Sequence, residues 1–108
     1  MKIFRKKKIE EVTPRLVTRT YGFYTNKRVY DTKPFDLLPV SFRLPTTLSN
    51  QEIEEYEREC IEGYLVENGN EIISVEHEGI YDITGLHIIL EDKELWVVCE
   101  KTEVGDMI

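Results

Sequence analysis

In the stretch SNQEIEEYERECIEGYLVENG, residues 49–69, apolar side chains recur at the three- and four-residue spacing of a helix. Winding it at about 100° per residue gathers Ile53, Tyr56, Cys60, Ile61, Tyr64 and Leu65 into one stripe that predicts packing on a core. Ser49 followed three residues later by Glu52 is the spacing of a capping box, in which each side chain satisfies an orphan backbone N–H. Gly69 supplies the stop, because helices commonly end on a residue with left-handed backbone. One residue breaks the stripe: Glu57 falls inside it, between Tyr64 and Ile61. A carboxylate there requires a partner or a raised pKa, and Arg43 or a tyrosine hydroxyl is the candidate partner.

Elsewhere the period is two. RLVTRTYGFYT (15–25) places Val17, Arg19, Tyr21 and Phe23 on one face and Leu16, Thr18, Thr20 and Tyr24 on the other. TNKR reads as a turn and VYD as a resumed strand, so a hairpin is expected over 15–31. Pro34, Pro39 and Pro45 exclude a helix from the next segment and allow a short or edge strand over Val40–Leu44. Beyond the helix, NEIISVEH and GIYDI read as strands and LHIILEDKELWVVCE as a hairpin. In that hairpin Leu86, Ile88 and Leu90 alternate with His87 and Ile89, and Leu95, Val97 and Cys99 with Trp96 and Val98. With Ile89 and Trp96 on the second face, the pair is apolar on both sides, which predicts a central sheet position or a homodimer interface. The expected fold class is α+β: one amphipathic helix packed on a mostly antiparallel sheet of about five strands.

A length of 108 residues fits one domain, with residues 1–14 read as a loose basic arm or a short first strand. No apolar run approaches the roughly 20 residues that cross a bilayer, and MKIFRKKKIEE has no apolar segment behind its basic cluster, so a soluble, cytoplasmic protein is expected. Cys60 and Cys99 have neither zinc nor disulfide-framework spacing and are expected to be buried thiols.

Charge changes the picture more. Residues 1–43 hold eleven Lys/Arg against four acids, whereas residues 44–108 hold three against seventeen, within a net charge of −7. On the helix, Glu52, Glu55, Glu59 and Glu62 form the face opposite the apolar stripe, and only Arg58 offsets them. Like charges at this spacing cost a few tenths of a kcal/mol each, so the strip is either a solvated face or a surface for a basic protein partner. Joined by Glu76, Glu78, Glu91, Asp92 and Glu94, it would imitate DNA phosphates. In the basic half, Lys6, Lys7, Lys8, Arg15, Arg19, Lys27 and Arg28 lie among Tyr21 and other aromatics, a pattern suited to stacking and neutralising single-stranded nucleic acid.

Catalytic signals are sparse. His77 and His87, with Glu76, Glu78 and Asp82, match no known ligand spacing, so neither a metal nor a cofactor is expected. Cys99 would need a histidine beside it, and His87 meets it only if turned against the apolar alternation. The expected function is therefore a non-catalytic binding or regulatory protein, an inhibitor or mobile-element accessory protein, presenting its acidic helix to a basic partner. A nucleic-acid-binding module using the N-terminal hairpin is the alternative.

Overall fold

The computed structural model describes residues 13–80 and 83–106. They form β1 (Arg15–Tyr24), β2 (Asp36–Leu44), α1 (Asn50–Glu67), β3 (Ile72–Ile80), β4 (Ile83–Leu90) and β5 (Glu94–Asp106). The strands make one antiparallel sheet in the order β2-β1-β5-β4-β3, so the fold is α+β as expected. α1 carries the chain from one edge strand to the other and lies across one face.

Local chemistry fixes α1. The Ser49 hydroxyl accepts from the Glu52 amide, Glu52 Oε1 accepts from the Ser49 amide at 2.8 Å, and Gly69 has φ of +86°. Its buried line is Ile53, Glu57, Ile61 and Leu65, an unbroken i,i+4 series with the acid in the middle. Tyr56 and Tyr64 sit at the margin and donate to the Ser41 carbonyl and the Asp36 carboxylate of β2. Opposite them, Arg58 donates to the Val75 carbonyl of β3 at 3.3 Å, so the helix is tied to both edges of the sheet.

Under the helix, Phe23, Ile61, Leu65, Leu86, Ile88, Leu90, Leu95 and Val97 form the main core. Tyr24, Val29, Ile80 and Val98, with Ile83 and Trp96 against them, form a second cluster. Here the expected 15–31 hairpin is corrected. Val29–Asp31 is a turn, not a strand, and the partner of β1 is β2, which starts at Asp36 and includes Pro39. Burying Val29 in the second cluster overrides the β-propensity of VYD. The loop between β1 and β2 thereby closes part of the face opposite the helix. β4 and β5 are internal strands, which accounts for a hairpin apolar on both sides. The other correction concerns thiols: Cys60 is half-buried and Cys99 exposed.

Candidate functional site

Two irregularities of β5 open a notch beneath α1. First, β4 pairs with β5 only from Leu86/Val97 to Ile89/Glu94, so β5 continues past Val97 while β4 turns away towards β3. Second, the β1–β5 register slips, with Thr20 opposite Lys101 but Tyr21 opposite Cys99. The extra residue is Glu100, and its carboxylate crosses to the other face, where it accepts from the Tyr24 hydroxyl at 2.6 Å. A bulge re-aims the side chains beyond it. Here it brings Thr102, paired with Arg19, onto the same face as Cys99, paired with Tyr21.

The result is a cavity of about 470 Å³. Glu54, Glu57, Arg58 and Ile61 of α1 roof it; Leu86 and Val97 belong to its floor; Arg19, Tyr21, Cys99 and Thr102 line one side, and His77 and Thr84 the other. Glu57 is its centre of interest, being 3% exposed. Arg19 Nη1 donates to Glu57 Oε1 at 3.0 Å, and the same guanidinium lies 5.4 Å from the Phe42 ring centroid. Glu57 Oε2, equally buried, has no hydrogen-bond partner among the described residues. Burial opposes the Arg19 charge, but the adjoining carboxylate outweighs it and holds the guanidinium pKa above its ordinary value. Burial, reinforced by the charge of Glu57 and by hydrogen bonding to it, likewise pushes the Tyr21 phenol up, so it stays protonated as a donor to that carboxylate. Of the two partners expected for Glu57, Arg43 is not found, because it pairs with Leu16 on the opposite face of the sheet, whereas a tyrosine hydroxyl, that of Tyr21, does act on the carboxylate.

The acidic helix face is built as expected, with Glu52, Glu55 and Glu59 exposed and Glu62 half-buried. Arg58 Nε reaches Glu62 at 2.9 Å, and no described cation pairs with the other three. The Ser49 backbone amide holds the Glu52 carboxyl below its ordinary pKa. Glu76 and Glu78 do not extend this strip, because they pair with His87 and Gly85 on the face away from α1. Glu91, Asp92 and Glu94 are exposed at the β4–β5 turn.

On that outer face Glu78 is the hub. Lys27 Nζ lies 3.0 Å from its Oε2, the Trp96 indole donates to the same oxygen at 3.3 Å, and His87 Nδ1 lies 3.3 Å from Oε1. His87 Nε2 meets Glu94 Oε1 at 2.8 Å, and its ring stacks on Trp96 with centroids 4.9 Å apart. Trp96 thus spends its polar edge within the chain, beside the half-buried Ile89.

The basic residues do not gather into one patch. Lys6, Lys7 and Lys8 lie outside the described residues. Arg15, Arg19 and Tyr21 occupy alternate positions on the helix side of β1, with Arg19 committed to Glu57. Lys27 and Arg28 belong to the loop over the opposite face, and Phe23 is fully buried. His77 and His87 project from opposite faces, as do Cys99 and His87, and no three His, Cys, Asp or Glu among the described residues are grouped to hold a metal. No described helix is long and apolar enough to cross a membrane. Sequence reasoning singled out Glu57 but missed Thr102 and the place of Cys99, because the bulged strand has no glycine or proline there and the glycine that makes room for Glu100, Gly22, lies on the neighbouring strand. Comparison with family models, curated proteins and solved structures finds no match for this chain.

Proposed function

We propose that this is a non-catalytic binding protein whose acidic helix face engages a basic protein partner, in the manner of a regulator or inhibitor. The observation that carries the reading is the charge arrangement of α1. Glu52, Glu55 and Glu59 stand exposed along one side of a helix, while Arg19 and Arg58 are turned to Glu57, Glu62 and the Val75 carbonyl. Such a face steers a positively charged partner and raises its association rate in a salt-dependent way. The nucleic-acid alternative has less support, since the described cations are divided between the two faces of the sheet. Pairing of two copies through Ile89 and Trp96 has no observation in its favour, as Trp96 is engaged with Glu78 and His87.

The test is capture from lysate at low and high salt, with and without nuclease, comparing the wild type with Glu52/Glu55/Glu59/Glu62→Gln. Glutamine preserves the capping box at position 52, so the variant keeps its helix. A protein retained at low salt, indifferent to nuclease and lost with the glutamines is the expected result. Retention of nucleic acid by both forms would overturn the proposal in favour of the alternative.

A further inference from the structure

The geometry points to the open edge of β5 as a surface on which two copies of this chain pair, strand against strand. β4 leaves β5 at Val97, yet β5 runs on to Asp106 with β1 alone beside it. The Phe35 amide donates to the Phe23 carbonyl, so odd-numbered residues of β1 bond to β2 and even-numbered ones to β5. Thr20 faces Lys101 and Thr18 faces Glu103. Thr102 and Val104 therefore turn their backbone N–H and C=O groups away from β1, towards the open side. Both residues are exposed, and no described strand pairs with them there.

The two outer edges of the sheet are guarded, as edges that avoid strand addition are. On β2, Pro39 has no N–H to offer and the Ser41 carbonyl accepts from the Tyr56 hydroxyl. On β3, the Val75 carbonyl accepts from Arg58. The β5 edge has no proline, and no described side chain of α1 caps it. Charge then selects the occupant. Two identical strands pair antiparallel about a two-fold axis through one residue, with facing side chains on the same side of the sheet. An axis at Lys101 or Glu103 would set like charges face to face. An axis at Val104 would face Glu103 with Gly105 and leave the charges uncompensated. An axis at Thr102 sets Lys101 against Glu103 of the second copy, twice over, and threonine against threonine, both favourable cross-strand pairs. Within one chain Lys101 Nζ and Glu103 Oε1 lie 3.8 Å apart on side chains 61% and 63% exposed, a loose contact that the cross-strand pairs replace. This surface is separate from the acidic face of α1, and the pairing goes beyond the function proposed for that face.

Sedimentation of the purified chain across micromolar to millimolar concentration tests the pairing. The wild type should pass from monomer to dimer, with amide exchange at Thr102 and Val104 slowing as the dimer fills. Lys101→Glu, which sets acid against acid across the axis, should weaken association about tenfold, and Lys101→Glu with Glu103→Lys should restore it. Thr102→Pro removes the N–H at the axis and leaves the bonds to β1, so it should weaken association at least about tenfold. If that variant does not fold, the charge series alone decides, since both charged side chains lie on the surface. A wild type monomeric at every concentration, a dimer indifferent to Lys101→Glu, or a charge reversal that fails to restore it would overturn the inference. None of these outcomes bears on the acidic helix face, which every variant leaves intact.

Discussion

Two carboxylates, one on each side of the sheet, have opposite surroundings. Glu78, on the outer face, uses both oxygens: Lys27 and Trp96 share one, and His87 takes the other. Glu57, beneath the helix, is far more buried yet uses only one. The outer face has the look of a tether, in which a surface acid pins a loop and an aromatic pair. On the helix side the chain buries a charged group against a single cation and closes protein around its second oxygen. The contrast separates a carboxylate that serves the fold from one that the fold carries.

The contrast is broken most directly at Arg19. Replacing Arg19 with Met leaves Glu57 buried with no cation, and removing one partner of a buried pair costs about 3–5 kcal/mol. Arg19 is itself 35% exposed, so a loss near the bottom of that range, about 3 kcal/mol, is expected in urea unfolding. Arg19→Met with Glu57→Met should recover the wild-type value or exceed it by about 1 kcal/mol, since an apolar pair packs where the ion pair stood. A double variant as weak as the single one would show that the methionine at 19, not the orphaned acid, does the damage.

A smaller effect compares space on the two sides. A Cβ added at Gly85 would lie 2.7 Å from the Val97 carbonyl oxygen and within 3 Å of the Ile80 and Val98 side chains. One of those atoms is backbone, so the site has little room to give, and Gly85→Ala should cost about 2 kcal/mol. Cys99→Val adds volume at the mouth of the cavity instead and should stay within about 0.5 kcal/mol. If the two substitutions cost the same, the cavity is not open space in solution.

Much of this fold was legible because its signals are local. The Ser49/Glu52 box, the stripe from Ile53 to Leu65 and Gly69 define α1 within a few residues of each landmark, and alternation in β4 and β5 gives their two faces directly. What was not legible depends on contacts between distant residues. Whether Arg19 or Arg43 would meet Glu57 turns on which face of which strand lies under the helix, and Arg43 fails because its pairing with Leu16 sets it on the other side. Val29 ends a strand-like run only because the second cluster lies above β1 and β5 to receive it. The bulge at Glu100 is visible only once β1 is laid beside β5. The anomaly of an acid in an apolar stripe was therefore readable, as was a tyrosine hydroxyl among its partners, while Arg19 and the cavity were not.

The smallest expected effect tests the tether, through pH. Hydrogen bonding to Lys27, with further help from Trp96 and His87, holds the Glu78 carboxyl below its ordinary pKa of 4.5. A depressed folded-state pKa means that the tether's contribution is complete above the unfolded value and is lost as pH falls through the folded one. The groups facing Glu78 are Lys27, Trp96 and His87, with Glu94 beyond His87. Trp96 is the one tryptophan, and its indole N–H donates to Glu78, so its single indole resonance reports protonation of that carboxylate. The resonance should move with a midpoint below 4.5 in the wild type, move at a higher pH in Lys27→Met, and lose this transition in Glu78→Gln. Amide exchange at Val29 should quicken across the same range, because the lysine that binds Glu78 is two residues away in the same turn. An indole midpoint unmoved by Lys27→Met would mean that the loop lies on this face through Val29 alone, and that Glu78 is no more a tether than Glu57 is.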